Sequence, residues 1–214
     1  MTARSIVVFG ASGHGKVVAD AARSQGLELR AFIDDAPERA GTTLWKVPVL
    51  GFAQFLVARA QWPGVQVALG IGSNSARQKC HSRLREAGVP VATVVHASAV
   101  IAPTAIVGEG SVIMAGAVVN PDAAVGAGCI VNTGAVVEHD CVLGDFVHLS
   151  PNAALGGAVR IGDRTHLGLG AVAIPGTRIG SDVVVGAGAA VIRDSDSSVT
   201  LVGVPAKSVQ RSKG

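Results

Sequence analysis

Aliphatic and small residues recur every six positions through the second half of the chain. From Val94 to Ser195 the sequence divides into seventeen consecutive hexads, whose second position is Val, Ile or Leu everywhere except at Ala173. The sixth position holds only Ala, Ser, Thr, Cys or Val. This period predicts short strands joined by tight turns, with three hexads to a coil and the coils stacked as a parallel β-helix. Residues 18 apart then lie above one another at a spacing of about 4.8 Å.

Residues 1–93 alternate between apolar runs and helical patterns. The predicted strands are 4–9, 28–33, 65–70 and 91–95, and the predicted helices lie near 15–25, 51–60 and 75–87. This order indicates a small Rossmann-like α/β domain with a parallel sheet, whose ligands bind at the carboxyl ends of the strands. GASGHG, the Asp34-Asp35 pair and Gly70–Asn74 fall at such ends, so we expect them to form one pocket. The predicted domains are 1–93, 94–195 and a tail at 196–214.

Composition narrows the class of protein. Hydrophobic residues make up 49% of the 214 residues and charged residues only 15%, which is sufficient for a sizeable core. The net charge is +3 without a Lys/Arg run, so we expect no nucleic-acid partner. No apolar run approaches the roughly 20 residues that span a bilayer, and no signal peptide is apparent. We therefore expect a cytoplasmic protein without a membrane partner. Cys129 and Cys141 occupy small sixth positions and are interpreted as core residues.

The stretch GASGHGKV, residues 10–17, is similar to two phosphate-binding motifs and completes neither. Val17 replaces the hydroxyl residue that holds Mg²⁺ in an NTPase loop. Ser12 replaces a glycine of the dinucleotide fingerprint. A glycine-rich turn between a strand and a helix still directs N–H groups at an anion. The stretch therefore predicts a turn that binds a phosphate or another polar ligand.

The 18-residue coil places His139 beside Gly157. His139 is the fourth residue of its hexad, on an exposed turn, and Gly157 follows one coil later. A base next to the N–H of a residue without a side chain suits acyl transfer, because one group accepts a proton and the other stabilises an oxyanion. Asp140 would raise the basicity of the imidazole or hold its tautomer. A solvated turn histidine is the alternative.

His148 and His166 are also 18 residues apart, in first positions that face outwards. They are either two surface imidazoles in register or part of a zinc site completed by a neighbouring chain. His81 lies in a charged helical segment and is expected at the surface.

Together, GASGHGK, IDD, IGSN, the hexads, VVEHDCVLGDFVHLSPNAALGG and VGVPAK resemble the sialic acid O-acetyltransferase (NeuD) family. The resemblance spans nearly the whole chain. It implies that the β-helix is left-handed. It also implies an N-acetyltransferase that uses acetyl-CoA, without a metal, on nucleotide-linked 4-amino sugars in bacterial glycan biosynthesis such as that of O-antigen or lipopolysaccharide.

The resemblance also implies roles for individual residues. His139 matches the catalytic base, and Asp140 stands where the family often has Glu. The implied coenzyme contacts are His148, Gly157, Leu169, Pro205 and Lys207. The implied sugar-nucleotide contacts are Ser12, Gly13, His14, Asp34, Asp35 and Gly72.

The expected activity is acetylation of the 4-amino group of GDP-perosamine or of a UDP-linked amino sugar, with a slight preference for GDP-perosamine. O-acetylation of a sugar hydroxyl, a zinc hydratase resembling γ-class carbonic anhydrases, and a non-catalytic nucleotide-sugar binder remain alternatives. A β-helix with three strands to a coil is a three-sided prism, and its convex outer surface has no deep cleft. We therefore expect a homotrimer with the coenzyme in grooves between neighbouring prisms.

Overall fold

The computed structural model describes residues 5–209. The chain divides into two compact units between Ala97 and Ser98, whereas the sequence pattern changes at residue 94. Residues 1–4 of the predicted first domain and 210–214 of the predicted tail lie outside the described residues.

The first unit contains a five-stranded sheet in the order β3-β4-β2-β1-β5. Its strands are β1 Ser5–Phe9, β2 Glu28–Ile33, β3 Thr43–Leu44, β4 Val47–Leu50 and β5 Gln66–Leu69, and β6 Val94–Val95 follows near the end of the unit. Its helices are α1 Gly13–Ser24, α2 Phe52–Ala58 and α3 Asn74–Glu86. β1 pairs in parallel with both β2 and β5, as the alternating pattern predicts. The core is formed by the strands together with Phe55 and Leu84 from the helices.

The β3–β4 hairpin was not predicted from the sequence. Its turn places Trp45 at φ 52° and Lys46 at φ 64°, a conformation that hairpins usually give to Asn-Gly or Asp-Gly. Trp45 packs edge-on against Phe32 at 6.3 Å, and the guanidinium of Arg23 lies 4.9 Å from its ring centre. Packing of the Trp45 side chain thus offsets the conformational cost of two non-glycine residues at positive φ. The turn residues themselves carry no sequence signal for a hairpin.

The second unit is a parallel β-helix, as the hexads predict. Its first face is formed by β7 Val100–Ile101, β10 Val118–Val119, β13 Val136–Val137, β16 Ala154–Leu155, β19 Val172–Ala173 and β22 Ala190–Val191. Its second face is formed by β8 Ile106–Val107, β11 Ala124–Val125, β14 Val142–Leu143, β17 Arg160–Ile161 and β20 Arg178–Ile179. Its third face contains β9 Val112–Ile113, β12 Ile130–Val131, β15 His148–Leu149, β18 His166–Leu167, β21 Val184–Val185 and β23 Thr200–Val202, with β24 Lys207–Val209 antiparallel at the edge.

The strands pair 18 residues apart, for example Val118 with Val136. Second-position side chains from Ile113 to Val191 are buried, and Cys129 and Cys141 are fully buried in sixth positions, as predicted. Regularity ends after β22. Val184 pairs with Thr200, 16 residues on, so the last coil is shorter than the others.

Candidate active site

Three glycines fix the turn that begins with Gly10. A Cβ at Gly15 would overlap the Gly10 carbonyl oxygen, and one at Gly10 would lie 2.5 Å from the Gly70 oxygen. A Cβ at Gly70 would lie 2.8 Å from the Cα of Gly15. The ends of β1 and β5 and the first turn of α1 therefore pack backbone against backbone. Gly13 and Gly72 have open space where a Cβ would be, so packing of the described residues does not require glycine there.

This junction borders a cavity of about 370 Å³ at the carboxyl ends of the strands. The cavity is lined by Ser12, Asp34, Asp35 and Gly72 of the predicted contacts. Gly13 and His14 do not line it. Gly10 and Ile71, which belong to segments expected to form this pocket, also line it. The lining residues that sequence reasoning missed are Phe9, Ile33, Ala36, Arg39, Cys80 and Arg83.

Asp34 stabilises the Gly10 turn, and both of its carboxylate oxygens accept hydrogen bonds from the protein. Oδ2 accepts hydrogen bonds from the N–H of Ala11 at 3.0 Å and from Arg39 at 3.1 Å, and Oδ1 accepts from the N–H of Ala36 at 3.1 Å. Partial burial acts to raise the pKa of Asp34, but these hydrogen bonds and the Arg39 charge outweigh it, so the pKa is lowered. The carboxylate therefore stays ionised and ties the end of β2 to the Gly10 turn.

Asp35 is more exposed than Asp34. Its Oδ1 accepts from the N–H of Phe52 at 2.7 Å, and its Oδ2 pairs with Arg83 at 2.8 Å. The Arg83 guanidinium also lies 4.3 Å from the ring centre of Phe52, which stacks on Phe9. Cation–π contact and ion pairing together hold Arg83 at the cavity wall. Asp35 keeps lone pairs that can accept from a ligand hydroxyl or base N–H.

His14 lies in the first turn of α1 near a buried arginine. Burial lowers the pKa of His14, and the charge of Arg77 lowers it further, to about 4. The imidazole is therefore neutral near pH 7. Arg77 is fully buried and donates to the carbonyls of Ile71 at 3.0 Å and Gly72 at 3.1 Å, which fixes the loop after β5.

His139 and Asp140 form a close pair on an exposed turn of the second unit. His139 Nδ1 lies 2.7 Å from Asp140 Oδ2. Because a carboxylate can only accept, Nδ1 carries the proton and Nε2 is left as the basic nitrogen. Asp140 adopts φ 60°, a left-handed conformation that Asp tolerates better than most residues. The hydrogen bond to Asp140 raises the pKa of His139, and the charges of Asp140 and Glu138 add to this.

The basic nitrogen of His139 lies directly over Gly157, as the coil spacing predicts. A Cβ built on Gly157 would be 2.5 Å from Nε2 and Cε1 of His139. The imidazole thus occupies the space that any side chain at position 157 would need. This places the backbone of Gly157 next to the atom that would accept a proton.

His148 and His166 stack face to face, with ring centres 4.5 Å apart and an angle of 10° between the rings. His148 Nε2 lies 3.3 Å from Asn132 Nδ2, and His166 Nε2 lies 2.8 Å from Ser150 Oγ. His148 is 9% exposed, so the expectation of two surface rings is wrong for it. The described residues contain no group of three or more His, Cys, Asp or Glu able to hold a metal ion.

The remaining predicted coenzyme contacts lie on the outside of the second unit. Leu169 is exposed at a turn. Lys207 borders a cavity of about 370 Å³ that also includes Arg193. Pro205 is exposed in the turn between β23 and β24.

His81 is buried, which corrects the expectation of a surface residue. It shares one face of α3 with Arg77 and Leu84, all of them buried. The signal available in the sequence was the spacing of these three residues, four and then three positions apart, which places them on one face of a helix. It was missed because two of the three inward positions hold polar side chains.

Comparison with known proteins agrees with both units. The PglD N-terminal domain family matches residues 5–84, and the hexapeptide repeat of succinyl-transferase matches residues 158–193. UDP-N-acetylbacillosamine N-acetyltransferase of Bacillus subtilis is 39% identical over 111 residues, which are 50% of this chain and 50% of that protein.

Two solved structures align over almost the whole chain. PerB from Caulobacter crescentus, in complex with CoA and GDP-perosamine, is 41% identical with a TM-score of 0.89, covering 96% of this chain and 97% of that chain. The acetyltransferase domain of PglB from Neisseria gonorrhoeae, in complex with acetyl coenzyme A, is 37% identical with a TM-score of 0.90, covering 97% and 100%. The chain therefore belongs to the hexapeptide-repeat acyltransferases, in the branch of nucleotide-linked amino-sugar N-acetyltransferases.

Proposed function

We propose that the protein transfers the acetyl group of acetyl-CoA to the 4-amino group of a nucleotide-linked amino sugar. The observation that carries this proposal is the His139 imidazole, held by Asp140 and lying over Gly157. GDP-perosamine is the first candidate substrate, because PerB is similar over almost the whole chain. A UDP-linked 4-amino sugar is the second, because the B. subtilis relative is named for one.

The proposed reaction is direct attack of the sugar amine on the thioester. The amine nitrogen forms a bond to the acetyl carbonyl carbon while His139 Nε2 removes one of its protons. The N–H of Gly157 donates to the oxygen that becomes negative. Collapse of the tetrahedral intermediate breaks the C–S bond, and the CoA sulfur leaves with the proton that the imidazolium returns. Proton transfer by a positioned side chain contributes roughly 10²–10⁴ in rate.

The cavity of the first unit would hold the nucleotide. Ser12 and Gly13 lie at the N-terminus of the 12-residue helix α1. Their N–H groups and the positive end of the helix dipole favour an anion such as the diphosphate. Asp35 and Gly72 would face the base and ribose. The neutral His14 does not line this cavity, so its proposed polar contact would be with a part of the sugar nucleotide that lies outside it. Asp34 would act through the turn that it ties down, because its oxygens already accept three hydrogen bonds.

The coenzyme would lie along the outside of the β-helix. We propose contacts from His148, Gly157, Leu169, Pro205 and Lys207, with the second wall of the groove supplied by a neighbouring copy in a homotrimer. None of the helices among residues 5–209 has the length and apolar character needed to cross a membrane. We propose that the reaction takes place in the cytoplasm, as a step of bacterial glycan biosynthesis such as that of lipopolysaccharide.

The test is an acetyl-transfer assay with GDP-perosamine, a UDP-linked 4-amino sugar and the matching 4-hydroxy sugars. We expect N-acetylated product from an amino sugar and none from the hydroxy sugars. His139→Ala should lower kcat by about 10² or more while calorimetry still detects sugar-nucleotide binding. Near wild-type turnover of His139→Ala would remove the proposed base. Faster acetylation of a hydroxy sugar would instead indicate an O-acetyltransferase.

A further inference from the structure

The turns of the β-helix differ in how they satisfy the N–H of the fourth hexad position. In two of the turns that follow strands of the second face, a side chain of the next coil accepts this N–H. The N–H of Ala127 donates to Asp145 Oδ1 at 2.8 Å, and the N–H of Asp145 donates to Asp163 Oδ1 at 2.9 Å. A fourth-position Asp thus caps the turn one coil earlier.

The turn at Gly157, one coil after His139, has no such cap from the following coil. The residue 18 positions after Gly157 is Pro175, which has neither a side-chain acceptor nor an N–H. Its ring lies on the neighbouring Gly156, where a Cβ would be 2.6 Å from Pro175 Cδ. The N–H groups of Gly156 and Ala158 donate to Ala173 and His139 carbonyls at 2.9 and 2.8 Å. Among the described residues, the N–H of Gly157 between them has no acceptor.

We infer that Pro175 is a positioning residue, which keeps the N–H of Gly157 open for the oxyanion of the acetyl group. The inference rests on the proposed function. An acceptor side chain at position 175 would compete with the thioester oxygen for the same hydrogen. Proline also suits the turn, because it favours the position before a left-handed residue, here Gly176 at φ 75°. Stiffening of the turn is therefore the competing explanation for Pro175.

Three variants separate these explanations. Pro175→Asn and Pro175→Asp each place a side-chain oxygen where Asp145 lies relative to Ala127. We expect both to lower kcat by about 10²–10³, the effect of losing one oxyanion donor. Pro175→Ala loosens the turn without adding an acceptor and should stay within about threefold of wild type. The KM for the sugar nucleotide should change little, because its proposed cavity belongs to the first unit.

Asn is uncharged, so a loss shared by Asn and Asp cannot come from the effect of a new charge on His139. The acid limb of the pH–rate profile should accordingly stay in place for Pro175→Asn. Asp145→Ala is the matched control, because it removes a cap from another corner and should leave turnover unchanged.

Amide exchange of Gly157, measured by NMR with ¹⁵N-glycine, tests the geometry apart from activity. Exchange should be slower in Pro175→Asn than in wild type and Pro175→Ala. Equal exchange in all three would overturn the inference, as would a loss of kcat in Pro175→Ala as large as in Pro175→Asn. A wild-type protein that acetylates none of the sugars would refute the proposed function, and the exchange comparison would still decide whether Pro175 keeps this N–H open.

Discussion

Replacing Gly157 by Ala should separate the chemistry of the second unit from its stability. The new Cβ would lie 2.5 Å from His139 Nε2, whereas ordinary contacts begin at 3.4 Å. The imidazole must therefore retreat by about 1 Å, and a misplacement of that size can lower a rate by about 10²-fold. We expect kcat to fall by roughly that factor, with little change in sugar-nucleotide affinity.

The fold should tolerate this substitution. Gly157 does not have a left-handed φ. Gly→Ala at such positions raises stability by about 0.4–1 kcal/mol, because it lowers the conformational entropy of the unfolded chain. The His139 side chain is 61% exposed, so its ring can move into solvent at little cost. Tm should therefore stay level or rise slightly while kcat falls.

Steady-state kinetics and thermal unfolding on the same preparation provide the assay, and a double-mutant cycle provides the control. In a His139→Ala background there is no imidazole to displace, so Gly157→Ala should cause little further loss. If Gly157→Ala keeps wild-type kcat, the imidazole does not act from the position over Gly157. If Tm falls together with kcat, the loss reflects the fold and the reasoning fails as well.

The other predictions concern pH, the nucleotide cavity and assembly. Because only neutral His139 accepts a proton, kcat/KM should rise with pH through a pKa raised above the ordinary histidine value. Asp140→Asn should move that limb of the profile to lower pH by removing the carboxylate that stabilises the imidazolium, and an unchanged limb would contradict the pairing. Asp35→Asn should weaken sugar-nucleotide binding in calorimetry with little change in Tm. Asp34→Asn should lower Tm by weakening the hydrogen bonds that its carboxylate accepts from Ala11 of the Gly10 turn and from Arg39. If Asp34→Asn weakens binding and Asp35→Asn lowers Tm instead, the roles assigned to the two residues are exchanged. Light scattering should show a trimer, and a fully active monomer would contradict the proposed coenzyme groove.

The hexad repeat made the inward-facing second positions of the β-helix predictable from Ile113 to Val191. Val95, Ile101 and Val107, in the first three hexads, are only partly buried. Each coil repeats the same packing problem, so the identity of the second and sixth positions fixes which side chains face inwards. The register of 18 follows, and with it the approach of His139 to Gly157. The two-residue shortening after β22 was not predictable in this way, because there Val184 pairs with Thr200 beyond the end of the repeat.

The cavity of the first unit could be predicted only in part. The ends of the strands indicated Ser12, Asp35 and Gly72, because parallel strands bring their carboxyl ends to one edge. Arg39 and Arg83 were missed because their places depend on tertiary contacts that no local pattern reveals. Arg39 pairs with Asp34, and Arg83 pairs with Asp35 and lies over the ring of Phe52. Arg77 was missed for a related reason. A fully buried guanidinium is stable only when its donors are satisfied, and its acceptors include the carbonyls of Ile71 and Gly72.

The glycine-rich turn explains why its sequence resembled two other motifs. Gly10, Gly15 and Gly70 lack side chains because two strand ends and a helix meet there with backbone atoms in contact. That packing problem is common to many strand–turn–helix units, whatever ligand they bind. The informative positions are therefore those where packing of the described residues leaves room for a Cβ. Gly13 and Gly72 are such positions, and Gly72 lines the cavity proposed for the nucleotide. Gly72→Ala should therefore weaken sugar-nucleotide binding in calorimetry while Tm stays level.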